Sequence, residues 1–241
     1  MKIFLHFLLI VIFPFHTYSQ STISDSLIVS APLNKAIQFY RESMKENLAL
    51  YNGSEYEEYD FRIKGSPNFN NSYFTKETLS IDGVTYKDAL LFYDLVKDQV
   101  VVKHYNNILK IQLPALKVDS FSCKGHKFVN LNKEKISPRP YDNFYDLLYN
   151  GKTKLYAKRI KFIEESRSNY ILTKSFSEKN HLYFYKDSIL YQVKSKSSAL
   201  KVLKEKKKDI KSYLRKNKIS FSNDLEKALI SVLFFYDNLT N

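Results

Sequence analysis

The chain reads as an α+β protein: one N-terminal helix, about ten mostly antiparallel strands forming a curved sheet, half-barrel or sandwich, and a C-terminal helical segment. Three observations predict this. The apolar period changes from helical to alternating near Glu55, Asp-Gly and Asn-Gly pairs punctuate apolar runs at hairpin spacing, and a helical period returns after Ser197.

The first helix is expected from Pro32 to about Leu50. Leu33, Ala36, Ile37, Tyr40, Met44 and Leu48 recur at three-four spacing, Pro32 suits a first turn, and Gly53 suits a left-handed close. From Glu55 onward Tyr59, Phe61 and Ile63 alternate with Glu58, Asp60 and Arg62, as in a half-buried strand. Asp82-Gly83 joins Tyr73–Ser80 to Val84–Tyr93 as a two-residue hairpin, because both positions of that turn need positive φ. Lys97-Asp98 and Asn106-Asn107 separate two further runs, Val100–His104 and Ile108–Leu113, and consecutive strands are expected to meander. Lys117–Ser122 and Lys127–Leu131 come next. Asn132 to Asp142, with Pro138 and Pro140 and no period, reads as a long surface loop or a boundary between two sheets. Beyond it, Phe144–Tyr149 and Lys154–Ile163 flank Asn150-Gly151, and Tyr170–Phe176, Leu182–Tyr185 and Ile189–Val193 complete the sheet. Ser197 or Ser198 is placed to cap a helix starting at Ala199. Asn223 with Glu226 has the form of a capping box for a last helix to about Asn238.

Ahead of these elements, Lys2 precedes an apolar run, Ile3 to Phe13, and the short polar tail Thr17-Tyr18-Ser19. The run is too short for a permanent span of about 30 Å, and the tail suits signal peptidase. Residues 1–19 are therefore expected to be a signal peptide, 20–31 a leader, and 32–241 one β-rich domain with C-terminal helices over about 197–239. A periplasmic or secreted location follows, with no transmembrane segment after cleavage. Cys123 is the sole cysteine, so no intrachain disulfide can form and the core must supply the stability.

The formal charge of +13 is unevenly placed. Between Lys194 and Lys218 eleven Lys or Arg face only Glu205 and Asp209, a local +9. On a helical wheel Lys201, Lys204, Lys208, Lys211 and Arg215 share one arc, opposite Leu200, Leu203, Ile210 and Leu214. Lys206 and Lys207 fall toward the apolar side of a continuous helix, so a break near Lys204–Lys206 fits equally well. This ridge is the candidate binding site, for an anionic lipid, lipopolysaccharide or an envelope protein. Nucleic acid is disfavoured, since an exported protein rarely meets it.

Familiar enzyme signatures are missing: the chain has no Gly-x-Ser-x-Gly elbow, no His-Glu-x-x-His zinc motif and no phosphate-binding glycine loop. Cys123 and His126 stand three apart, but one Cys-x-x-His lacks the second ligand pair of a structural zinc, and Gly125 reads as a turn. Cys123 itself reads as a small buried apolar residue. Asp94 and Asp98 bracket a turn, while Glu57 and Glu58 alternate in direction, so neither pair converges as a catalytic pair would. No cofactor or metal is expected.

Several strings together resemble an uncharacterised family of exported proteins of Gram-negative bacteria. They are Leu50-Tyr51-Asn52-Gly53-Ser54-Glu55-Tyr56, Tyr93-Asp94-Leu95-Val96-Lys97-Asp98, Asn150-Gly151-Lys152 and, near the end, Lys206-Lys207-Lys208 with Tyr213-Leu214-Arg215-Lys216-Asn217. The resemblance implies an envelope or secreted protein and carries no activity with it. The expectation is a non-enzymatic envelope protein. A periplasmic carrier of a lipid or other apolar ligand would instead need a continuous apolar cavity. A hydrolase would need His104, His126 or His181 beside an acid and a nucleophile.

Overall fold

The computed structural model describes residues 49–133, 136, 142–168 and 171–240, with Lys35, Ala36 and Phe39. The chain divides into two units, residues 1–44 and 45–241, and the described elements belong to the second. The expected signal peptide, the leader and most of the first helix lie outside the described residues.

Eleven strands form one sheet: β1 (Ser54–Glu55), β2 (Thr75–Ile81), β3 (Val84–Asp94), β4 (Gln99–Lys103), β5 (Lys110–Gln112), β6 (Val118–Cys123), β7 (His126–Asn130), β8 (Phe144–Asn150), β9 (Lys154–Ser168), β10 (Ile171–Lys186) and β11 (Ile189–Val193). The helices α1 (Lys196–Val202), α2 (Lys207–Lys216) and α3 (Leu225–Leu239) follow. Sheet order is β1-β5-β4-β3-β2-β6-β7-β8-β9-β10-β11, every pair antiparallel, with β1 and β11 as open edges. A simple meander would place β6 beside β5. Instead β6 returns to β2, where Leu79 faces Phe121.

Turn chemistry fixes the register. Asp82 and Gly83 have φ of 47° and 80°, as the hairpin reading requires, and Lys124-Gly125 repeats the pattern at 51° and 81°. Asp187 and Ser188 do the same without glycine, at 51° and 62°. Asn150-Gly151 also opens a hairpin, but for another reason. Gly151 is outside the left-handed region, and a Cβ there would lie 2.6 Å from the Tyr149 ring and closer still to Asp237. Gly53 is likewise not left-handed: added carbon would strike the backbone of Gln112, so its need is close approach to β5.

The alternation at Tyr59, Phe61 and Ile63 does not make a strand. Asp60 begins a turn closed by the Ile63 amide on the Asp60 carbonyl, and Phe61 is 94 % exposed. By contrast the expected strands Tyr170–Phe176 and Leu182–Tyr185 are, over the described residues from Ile171 on, one strand, β10, whose partner β9 runs five residues past Ile163 to Ser168.

Ring packing shows how the sheet bends. Tyr93 on β3 and Phe144 on β8 are four strand steps apart, about 19 Å in a flat sheet. Their ring centroids lie 5.9 Å apart. Phe121 and Phe128 fill the space between, stacked at 5.0 Å and 10°. The β2–β8 part therefore coils around its own aromatic core, and the main-chain amide of Lys161 on β9 reaches back to the Leu95 carbonyl beyond β3. A second core lies where Leu155, Ala157 and Phe184 meet Leu203, Ile210, Leu229, Val232 and Leu233 of the helical segment. The helices are thus bonded to the sheet by apolar burial, with about 1.5–3 kcal/mol from each fully buried side chain of this size.

Candidate functional site

The basic segment is built on helices whose apolar sides are buried. Ser195 caps α1, accepting from the Ser198 amide at 3.3 Å, while the Ser198 hydroxyl accepts from the Ser195 amide at 3.0 Å. Helix α1 therefore starts three residues before Ala199, and Ser198 is the partner in a capping box, not the cap. At Leu203 the backbone leaves helical geometry, and Lys204–Lys206 form one 3-10 turn before α2. Helix α3 is capped by Asp224, which accepts from the Lys227 amide at 2.9 Å, one residue beyond the expected Asn223.

The break decides how the cations are displayed. Ile210 and Leu214 of α2 are buried, and Tyr213 stacks on Phe235 of α3 at 4.1 Å and 6°. Lys208, Lys211 and Arg215 consequently share the outer face of α2. Lys201 and Lys204 precede the break, so the five candidate residues form a pair and a trio in place of one ridge. All five are exposed. Lys207 is exposed as well and Lys206 half-buried, because the break turns both away from the core. Of the eleven basic residues between Lys194 and Lys218, none has an ion-pair partner among the described residues. Glu205, one of the two acids in the segment, is turned to Lys186 at 3.3 Å.

The histidines occupy separate places. His104 follows β4 and packs against the rings of Tyr51 and Tyr105, and His181 lies on β10 near Gln192. His126 sits on β7, opposite Cys123 in register and edge-on to Phe69 at 5.1 Å. Cys123 is fully buried with its sulfur 4.0 Å from the Ser72 hydroxyl, and burial pushes its thiol up to about 11. A thiol held protonated in this way is a packing residue at neutral pH.

The partner of His126 is an acid that sequence spacing did not reveal. Asp146 on β8 places Oδ2 at 2.8 Å from His126 Nδ1, 3.1 Å from Arg159 Nε and 2.8 Å from Arg159 Nη2. Arg159 continues to Glu226 at the start of α3, with Nη2 to Oε2 at 3.0 Å. Burial works against the guanidinium charge, but hydrogen bonds to Glu226 and Asp146 more than offset it, and the Arg159 pKa is raised. This network lies at the junction of the two cores. It joins β7, β8, β9 and α3. Arg159 and Lys161 continue the inward phase of Leu155 and Ala157 along β9, a signal present in the sequence that the strand reading did not use.

Asp94 is a second buried carboxylate, and Asp237 of α3 a third. Oδ1 of Asp94 accepts from the amides of Val96 and Lys97, as turn chemistry leads one to expect, while Oδ2 accepts from Tyr56 at 2.9 Å and Tyr59 at 3.1 Å. Asp98 also does more than bracket the turn. It receives Tyr93 Oη at 2.5 Å and Lys158 Nζ at 2.9 Å. Among the described residues no group of three or more His, Cys, Asp or Glu is placed to hold a metal ion, and no helix is long and apolar enough to cross a membrane. No protein-family model, curated protein or solved structure matches this chain, so the geometry above is what any reading of function has to rest on.

Proposed function

We propose that this chain is a non-enzymatic, exported envelope protein that binds an anionic surface through the helical segment between Lys194 and Lys218. The observation that carries the reading is the exposure of ten of those eleven cations, without ion-pair partners among the described residues, on helices whose opposite sides are buried in the second core. Cations held on a packed scaffold can contact a charged surface without an ordering cost for the backbone. Near an anionic membrane each contributes about 1 kcal/mol, so the trio on α2 with Lys201 and Lys204 provides useful adhesion at low salt without a dedicated pocket. The leading apolar stretch supports export, and the resemblance to exported Gram-negative proteins agrees with it. Flotation with vesicles of phosphatidylcholine alone and with added phosphatidylglycerol tests the proposal. Recovery in the floating fraction only with the anionic lipid, lost on raising the salt, is expected. Equal recovery with both vesicles at low salt would remove it.

A further inference from the structure

The segment from Tyr56 to Asn68 packs against Phe92 of β3 and meets β10 at Lys64 and Ser175, leaving an open cleft of about 350 Å³. Seven of its fifteen lining residues are aromatic, so ring faces are the main recognition surface it offers. Phe92 meets Tyr56 edge-on at 5.4 Å and Phe176 meets Tyr59 at 5.2 Å, which fixes the inner rings. Phe61 and Tyr73 stand at the rim, 94 % and 87 % exposed.

Three features of this cleft select a charge and a size. First, the hydroxyls of Tyr56 and Tyr59 are committed to Asp94, so these residues offer a ligand their π-faces, and donation to a carboxylate makes those faces richer in electrons. The same two rings already attract a cation: Lys97 Nζ lies 4.5 Å from the Tyr56 centroid and 5.0 Å from that of Tyr59, and Lys97 is not among the residues that line the cleft. Second, the lining carries Glu58 and Asp60 with Lys110 as its one cation, and Asp60 is itself bound by Arg62, so the acids are balanced and the lining offers an anion no unpaired cation. Lys110 is itself turned to Glu58. Third, Asn68 in the wall gives its amide to the Ser72 carbonyl at 2.7 Å, while its buried Oδ1 has no partner among the described residues and can be satisfied only by a donor. Rings, the lack of an unpaired cation in the lining and an unmet acceptor all disfavour an anion. At roughly 30 Å³ per water-sized group the space takes about a dozen non-hydrogen atoms, too few for a diacyl lipid.

We propose that the cleft is a binding site for a small organic ammonium ion, a protonated amine carrying an apolar body. The ammonium group lies over the Tyr56 and Tyr59 rings, and the apolar body lies between Phe61, Tyr73 and Phe92. This site is independent of the basic helical face, and either can fail without the other.

The experiment is calorimetric or saturation-transfer titration of the whole protein at neutral pH with three probes of one shape: 2-phenylethylammonium, 2-phenylethanol and phenylacetate. The cation is expected to bind at least about tenfold more tightly than the alcohol or the anion, the range a cation–π contact supplies. The double variant Phe61→Ala/Tyr73→Ala removes two exposed rings, so it should fold with an unchanged melting temperature and lose most of the cation's affinity. Equal binding of all three probes, absence of binding by the ammonium, or full affinity in the folded double variant would each overturn the proposal.

Discussion

Asp146 and Arg159 form a buried pair in which a single carboxylate oxygen, Oδ2, receives both Nε and Nη2, while Oδ1 is buried without a partner among the described residues. The carboxylate therefore depends on Arg159 and His126 for all of its compensation among the described residues. Removing the guanidinium would leave Asp146 and Glu226 as buried and half-buried acids with one imidazole between them. Arg159→Met is expected to destabilise the protein by about 3–5 kcal/mol, the usual cost of breaking a buried pair from one side. Urea unfolding read by circular dichroism checks this. A loss below about 1 kcal/mol would mean that water reaches the junction and that the pair is not buried in solution.

Cys123 tests the packing of the first core. With its pKa moved from 9.0 up to about 11, the neutral thiol is favoured by folding. That contribution is complete below pH 9 and disappears as the pH rises through about 11. The phenols of Tyr56 and Tyr59 act in the same direction, since burial and the adjacent Asp94 raise both pKa values above the ordinary 10.0. Stability should accordingly be flat through neutrality and fall beginning near pH 9. In the native state at pH 8 a disulfide reagent such as DTNB should leave the thiol untouched, and reaction should follow at the rate of unfolding. Stoichiometric labelling within the mixing time would place Cys123 at the surface.

Gly151 ties the last helix to the sheet. Asp237 of α3 accepts from the Thr153 amide at 3.2 Å and from Tyr149 Oη at 3.1 Å, and it does so across the Gly151 α-carbon. A methyl group at this place has to displace the carboxylate from both donors. Gly151→Ala should cost about 1–3 kcal/mol by overpacking and lost hydrogen bonds. Hydrogen exchange should show the loss first in α3, because Lys152 Nζ on the Thr240 carbonyl is the neighbouring tie. An unchanged melting temperature would show that the turn can rearrange freely and that Asp237 does not anchor the helix.

How far the sequence could be read follows from the range of each interaction. Turn pairs such as Asp82-Gly83 and the stripe of α3 are local, and both were legible. Strand order was not, because the return of β6 to β2 depends on Leu79 meeting Phe121 forty-two positions away, a choice made by ring packing and not by any local period. The false strand at Tyr59–Ile63 shows the converse. Alternation there reflects Tyr59 turning inward to Asp94 while Phe61 projects into solvent, and no ladder of hydrogen bonds supports it. At the candidate site the identities of the cations were plain from charge alone. Their division at Leu203 was only one of two readings, since the apolar positions on either side fit one wheel, and the misplacement of both caps by one to three residues reflects several adjacent Ser, Asn and Asp that satisfy the same geometry. The buried ions Arg159 and Lys161 were read simply as strand residues, although Lys161 is held by three acceptors, the carbonyls of Ser66 and Asn68 and Oδ1 of Asn71.

The surface-binding proposal can be separated from a mere effect of net charge. Reversing Lys208, Lys211 and Arg215 to Glu lowers the local charge from +9 to +3 on a single helix face. These side chains are exposed, so the folded state should be affected by no more than about 0.5 kcal/mol. The control reverses Lys76, Lys87 and Lys127, exposed residues of the sheet, and gives the same total charge. If adhesion is spread over the whole positive protein, both triple variants must lose vesicle recovery equally. If it resides on α2, the helix variant alone loses it, by more than about tenfold at low salt, since each cation near an anionic membrane contributes about 1 kcal/mol. Raising the ionic strength to 1 M shortens screening to about 3 Å, and wild type should then behave as the helix variant does at low salt. Retention of binding by the helix variant, or parallel loss in both, would place the interaction away from this face.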